Sequence, residues 1–216
     1  MTDPRIALIH ATPLSMAPIE AAFTAAWPEA RLAHLLDGSL SQDLAREGAL
    51  TTSMTERFRT LGRYVAGCGA QAILFTCSAF GACIERVAAE HAPMPVLKPN
   101  EAMIEAARGY GNRIGLVATF TPTFASMLPE FAAALPHATI VTAHAEGAME
   151  ALAAGDGATH DARIAQAART LADCDVVALA QFSMARAHDA AAAACGRPVL
   201  TTPGTAVAAL KARLEA

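Results

Sequence analysis

The segment Phe75-Thr76-Cys77-Ser78-Ala79-Phe80-Gly81 sets a thiol between two hydroxyls, where an apolar run gives way to helical spacing. A cysteine at a helix N-terminus meets unpaired backbone N–H groups and the positive end of the helix dipole, which favour the thiolate and lower its pKa from about 8.5. The same N–H groups can hold a carboxylate or an enolate oxygen. The chemistry expected of such a site is proton transfer at a carbon acid. The competing reading is a small buried hydrophobe, because free cysteine is among the most buried residue types. His10 closes one apolar run and Asp37 follows another, so each is a candidate second base; the alternative for both is a strand-end polar group bonded to a loop backbone. Cys68, Cys83, Cys174 and Cys195 read as structural: Cys174 and Cys195 precede strands, and Cys83, six positions after Cys77, faces the packing interface.

These residues need a scaffold, and the chain spells one out. Short β-rich runs are expected at 5–10, 30–36, 70–76, 94–97, 112–118, 138–142, 175–180 and 198–201. Helical patterns lie between them, at 19–26, 51–66, 83–91, 101–108, 123–134, 162–172, 185–194 and 205–214. Parallel neighbours need a helix-length connection, so this alternation predicts an α/β fold with parallel sheet and right-handed crossovers. Arg5-Ile6-Ala7-Leu8-Ile9-His10-Ala11-Thr12 is echoed by Arg113-Ile114-Gly115-Leu116-Val117-Ala118-Thr119. Ala72-Ile73-Leu74-Phe75-Thr76-Cys77-Ser78 is echoed by Val176-Val177-Ala178-Leu179-Ala180-Gln181-Phe182-Ser183. The echoes suggest two pseudo-symmetric lobes, each a parallel sheet flanked by helices: 1–98 with 203–216, and 99–202. Ligands of open parallel sheets sit beyond the carboxyl ends of strands, so an active site is expected in the cleft between the lobes.

Composition excludes several classes. The chain has 216 residues, 54 of them alanine, and only 17% are charged, yet larger apolar residues recur in every segment; this is a globular chain and not a disordered one. Sixteen basic against twenty acidic residues leave a net charge of -4, with no footprint for a nucleic-acid backbone. The uncharged stretch between Arg113 and Glu130 contains Thr119, Thr121, Pro122, Thr123, Ser126 and Pro129, and is no membrane span. The start, Met1-Thr2-Asp3-Pro4-Arg5, lacks a secretory signal pattern, so a cytoplasmic location is expected. Five cysteines without C-x-x-C, and seven histidines without H-x-x-x-H, read as free thiols and no metal site. Gly155-Asp156-Gly157 is a turn and not a phosphate loop.

Leu74-Phe75-Thr76-Cys77-Ser78, taken with Ile9-His10-Ala11-Thr12-Pro13, Leu116-Val117-Ala118-Thr119-Phe120-Thr121 and Leu179-Ala180-Gln181-Phe182-Ser183-Met184-Ala185, resembles the aspartate/glutamate/hydantoin racemase superfamily, which includes arylmalonate decarboxylase and maleate isomerase. The resemblance runs from Ile6 to about Val207. It implies a cofactor-independent enzyme of two α/β lobes, in which cysteine thiols exchange a proton beside the carboxylate of a small substrate or attack an alkene carbon. Carried over by position, Cys77 is the first-lobe catalytic cysteine and Thr76 and Ser78 are its carboxylate- or enolate-binding neighbours. Pro13 and Leu14 lie on a loop bordering the substrate, and Thr119 and Thr121 form the second-lobe oxyanion-binding turn. Gln181 stands where racemases carry a second cysteine and cannot shuttle a proton at neutral pH. With Ser183 it is expected to read a substrate carbonyl or carboxylate, with Phe182 beside them; helix N-capping by Ser183 is the alternative. Racemisation needs a base on one face and an acid on the other, whereas decarboxylation needs one proton donor once CO2 has left. Three readings stay open: a racemase or isomerase, a single-thiol decarboxylase, and a non-catalytic binder of small carboxylates. A homodimer is expected from the resemblance and from the commonness of two-fold assemblies.

Overall fold

The computed structural model describes residues 3–215. Contacts divide the chain into two units, one running to Pro99 and taking in the chain from Ala206 on, the other spanning Asn100–Thr205.

In the first unit β1 (Arg5–His10), β2 (Arg31–Leu36), β3 (Ala72–Phe75) and β4 (Val96–Leu97) form a parallel sheet in the order β2-β1-β3-β4. The central β1 and β3 are apolar almost without interruption and almost wholly buried, as strands covered on both faces must be. The edge strand β2 is largely exposed. Helices α1 (Met16–Ala26), α2 (Ser39–Glu47), α3 (Thr52–Gly67) and α4 (Gly81–His91) connect the strands. On one face Ala7, Ile9, Ile73 and Phe75 pack with Met54 and Phe58 of α3 and Ile84 of α4, and Cys83 lies in the same core. Met54, Phe58, Gly62 and Val65 recur at helical spacing and form the buried face of α3. The ring of Phe58 meets those of Phe75 and Phe80 at centroid distances of 5.3 and 4.9 Å. At the start of α3 the Thr51 hydroxyl accepts from the Met54 N–H at 3.2 Å. Thr51→Ala is expected to cost roughly 1 kcal/mol, a fall in Tm of about 2–4 °C in a thermal melt.

The second unit repeats the topology. Strands β5 (Arg113–Ala118), β6 (Thr139–His144), β7 (Val176–Leu179) and β8 (Val199–Thr201) run parallel in the order β6-β5-β7-β8. They alternate with α5 (Glu101–Ala107), α6 (Pro122–Ala134), α7 (Ala148–Ala153), α8 (Gly157–Arg169) and α9 (His188–Cys195), and α10 (Thr202–Glu215) leads back to the first unit. Val117, Val177 and Leu179 pack with Ile164 and Leu171 on one face, while Leu116, Val176 and Ala178 pack with Met103 and Phe131 on the other. Gly115 makes one of these contacts possible: a Cβ there would lie 2.9 Å from Leu171 Cδ1. No helix among the described residues is long and apolar enough to cross a membrane.

The α/β class and the parallel pairing are those the alternation predicts. Helices α2 and α7 arise where the spacing predicts none. Both are short and set off by turn residues: Ser39 starts α2 with its N–H and hydroxyl bonded to Asp37, and Gly48 stops it at φ +71°, a value that favours glycine. Gly147, at φ +72°, precedes α7 in the same way.

Candidate functional site

The first candidate site is built where β1 and β3 end side by side. The ladder closes with the Thr76 N–H donating to the Ile9 carbonyl at 3.0 Å. Cys77 follows in extended conformation (φ -129°, ψ 121°) and precedes a 3-10 turn, Ser78–Phe80, which runs directly into α4. Its side chain is half-buried and packs against the α3–α4 face of the sheet. With His10, Phe58, Phe75 and Phe80 it borders a cavity of about 10 Å³, the space of a single water. Burial pushes the Cys77 thiol up, and a hydrogen bond from the Ala79 N–H offsets only part of this. The lowered pKa expected at a helix N-terminus is therefore corrected. Desolvation opposes the charged form, and a three-residue 3-10 turn supplies less dipole than a full helix. Cys77 is a protonated thiol at neutral pH.

Side chains alternate along a strand, so Thr76 points away from Cys77. Its hydroxyl, 4% exposed with the rest of the residue, lies 2.8 Å from Ser15 Oγ and 2.9 Å from His10 Nδ1. Both the N–H and the hydroxyl of Thr76 are thus bonded inside the unit. Ser78 is half-buried beside the thiol and stands outside this network. Pro13 and Leu14 form an exposed 3-10 turn after β1, with Leu14 52% exposed; Ser15, the last residue of that turn, folds inward. The two candidate second bases do not reach an open position. Asp37 accepts from Ser39 and pairs with Arg57 Nη2 at 2.6 Å. Burial by itself would raise its carboxyl, but the hydrogen bonds from Ser39 and Arg57 outweigh that and hold it below the ordinary carboxylate range. His10 is fully buried; burial, and then the neighbouring His34, lower it to about 4, so it is neutral at pH 7.

The corresponding position of the second unit is Gln181, extended (φ -117°, ψ 150°) after β7 and preceding the 3-10 turn Phe182–Ala187. Its Oε1 accepts from the Thr119 N–H at 3.0 Å, and its Nε2 donates to Thr123 Oγ1 at 3.4 Å. Gln181 thereby ties the loop after β7 to the loop after β5. The Gln181 carbonyl and the Thr119 N–H thus serve each other, and Gln181 immediately precedes the turn, of which Ser183 is the second residue. Thr119 is buried, Thr121 exposed, Ser183 half-buried, and Phe182 buried at 5% exposure. No group of three or more His, Cys, Asp or Glu side chains among the described residues could hold a metal ion.

Sequence reasoning did not find Ser15, His34 and Glu20. His34 Nδ1 lies 3.0 Å from His10 Nε2, and His34 Nε2 lies 3.3 Å from Glu20 Oε1. In the β1–β2 register Leu8 pairs with His34 and His10 with Leu36, so the two histidines are diagonal neighbours on one face. Only that register could have signalled the pair.

No protein-family model matches the sequence, and no curated protein is similar to it in sequence. Solved structures do match. Glutamate racemase from Francisella tularensis, in complex with D-glutamate, is 13% identical over 100% of this chain and 82% of its own, with a TM-score of 0.72. An aspartate racemase homologue from Pyrococcus horikoshii is 15% identical over 100% of both chains, with a TM-score of 0.76. Allantoin racemase from Klebsiella pneumoniae is 18% identical over 99% of this chain and 88% of its own, with a TM-score of 0.69. The chain therefore shares its fold with these solved racemase structures.

Proposed function

We propose that this chain is a racemase/isomerase-type enzyme that moves a proton at the carbon next to a carboxylate, in an amino acid, a hydantoin or a related small carbon acid, without a cofactor. The observation that carries the reading is the placement of Cys77: a thiol at the carboxyl end of a central parallel strand, preceding the next turn, in a fold shared with racemases. The thiolate form of Cys77, held by the hydrogen bond from the Ala79 N–H, takes the proton from that carbon, water returns one to the opposite face of the carbanion, and Cys77 loses the acquired proton to solvent. Ser78, Pro13 and Leu14 are the substrate-binding candidates of the first unit, and Thr119, Thr121, Phe182 and Ser183 are those of the second, with Gln181 and Thr76 fixing loops in their respective units.

A second reading is favoured by Gln181. It stands at the position of the second unit that Cys77 holds in the first, and an amide neither gives nor takes a proton at neutral pH. One proton donor suffices for an arylmalonate-type decarboxylation, where the carbanion forms by loss of CO2 and is then protonated by Cys77. Proton NMR in D2O decides between the two with aspartate, glutamate, hydantoins, maleate and arylmalonates as a panel. Exchange of the α-proton with inversion is the expected result for the first reading, and CO2 release with one deuterium incorporated for the second. Calorimetric binding of a panel member with neither exchange nor conversion would overturn both in favour of a carboxylate binder.

A further inference from the structure

We infer that Arg186 is a positioning residue: seated on the backbone of Gly157 and bound to Asp161, it fixes the turn Phe182–Ala187 against α8, and with the turn it places Phe182 and Ser183 for a substrate. The first half stands on geometry within the second unit; the second half rests on the proposed function. The turn needs an outside tie. Its six residues exceed the about three or four that a 3-10 helix ordinarily runs, because the hydrogen bonds of such a helix are poorly aligned. The corresponding turn of the first unit, Ser78–Phe80, stops at three. Phe182, Met184 and Ala187 hold the inner side of the longer turn by burial. Its start is tied through Gln181 to Thr119 and Thr123, and its end through His188 Nε2, 3.2 Å from the Val199 carbonyl.

Between these two points the outer side is held by Arg186. Its Nε donates to both carboxylate oxygens of Asp161, at 2.9 and 3.1 Å. Asp161 Oδ1 accepts in addition from the Nδ1–H of the neighbouring His160 at 2.8 Å, and the His160 side chain is fully buried. An ion pair whose side chains are 50% and 23% exposed contributes little by itself, because solvent screens it and both chains lose freedom. Here the carboxylate is anchored to a buried ring, and the guanidinium has a second seat. A Cβ on Gly157 would lie 2.5 Å from Arg186 Cζ and 2.6 Å from Nη1, so the guanidinium fills space that only glycine leaves open. Gly157 is the first residue of α8, where alanine would be the better helix former. The turn Gly155-Asp156-Gly157 thus has two uses: Asp156 caps α8 by accepting from the Thr159 N–H at 3.0 Å, and Gly157 receives Arg186.

Two measurements on Arg186→Gln and Gly157→Ala test this. In the free protein, hydrogen exchange is followed at the amides of Met184 and His188, which close the turn on the Gln181 and Ala185 carbonyls. Each variant is expected to speed their exchange about 3–5-fold, the scale of one such tie. Gly157→Ala is expected to do so while keeping or raising the melting temperature, because the displaced guanidinium is the free end of a flexible side chain and alanine favours the helix. Wild-type exchange in both variants overturns the tie, whatever the protein catalyses. In the active enzyme each variant is expected to raise KM about 10-fold with kcat nearly unchanged, within the roughly 100-fold that a misplacement of about 1 Å can cost. A loss of folded protein alone would lower kcat and leave KM as it was. The double variant should be no worse than either single one, because both changes break the same contact; effects that multiply would overturn the shared seat. Faster exchange with a wild-type KM would confine Arg186 to the fold and overturn its positioning role, leaving the proposed function standing. Absence of turnover with every substrate would remove the proposed function and the positioning role with it, and the exchange result would still decide the tie.

Discussion

Replacement of Cys77 by alanine is expected to lower turnover of the responsive substrate by about 10²–10⁴-fold, the contribution typical of a positioned acid or base. Substrate binding should change little, because the thiol is half-buried and Ser78, Pro13 and Leu14 are untouched. Serine is expected to behave like alanine, its hydroxyl being too weak an acid to protonate a carbanion at the same rate. The raised thiol pKa gives an independent check without any substrate. Alkylation of Cys77 by iodoacetamide should be slow at pH 7 and accelerate well above pH 9, because only the thiolate reacts. Mass spectrometry after timed exposure separates Cys77 from the exposed Cys68. Rapid labelling of Cys77 at neutral pH would show that the site stabilises the thiolate after all, and would favour Cys77 as base over Cys77 as proton donor.

The second large effect concerns acid stability. His10 has an ordinary value of 6.5, and in the folded protein it is lowered to about 4. Above pH 6.5 both the folded and the unfolded chain carry it neutral. Below 6.5 the unfolded chain takes up a proton that the folded chain refuses until about pH 4, so stability falls as pH falls through this window and levels off beneath it. The loss attributable to this one side chain is roughly 3 kcal/mol. Paired carboxylates act lower on the scale: Glu90, held near 2 by its hydrogen bonds from Arg63 and Arg59, begins to lose that advantage only as pH drops below its ordinary 4.5. Urea unfolding of the wild type between pH 7.5 and 4.5 should therefore show most of the loss, and His10→Asn should be less stable at pH 7.5 but flatter across the window. Parallel curves for the two proteins would mean that the cost of a charge on His10 is not what the buried setting implies.

The candidate site was legible in proportion to how local its determinants are. Cys77 stands out because an apolar run, a thiol between hydroxyls and the start of a helix are neighbours in sequence. The apolar runs, their helix-length spacing and the paired echoes likewise specify the α/β class and the parallel sheets, since burial on both faces demands continuous apolar strands and parallel pairing demands crossovers. The state of each polar group was decided elsewhere. Thr76 turned inward because strand alternation puts it on the face opposite Cys77, where Ser15 and His10 wait. Gln181 became a tie between two loops because Thr119, 62 positions away in the sequence, presents its N–H there. The thiol was pushed up and not down because desolvation by side chains of α3 and α4 outweighs a short turn's dipole. His10, His34 and Glu20 meet only through strand register and helix packing, which act between residues far apart along the chain. The elements, and the thiol that one of them presents, are read from the sequence; the charge state and hydrogen-bond partners of each polar group belong to the tertiary structure, because they depend on what each group loses in solvent and gains in partners.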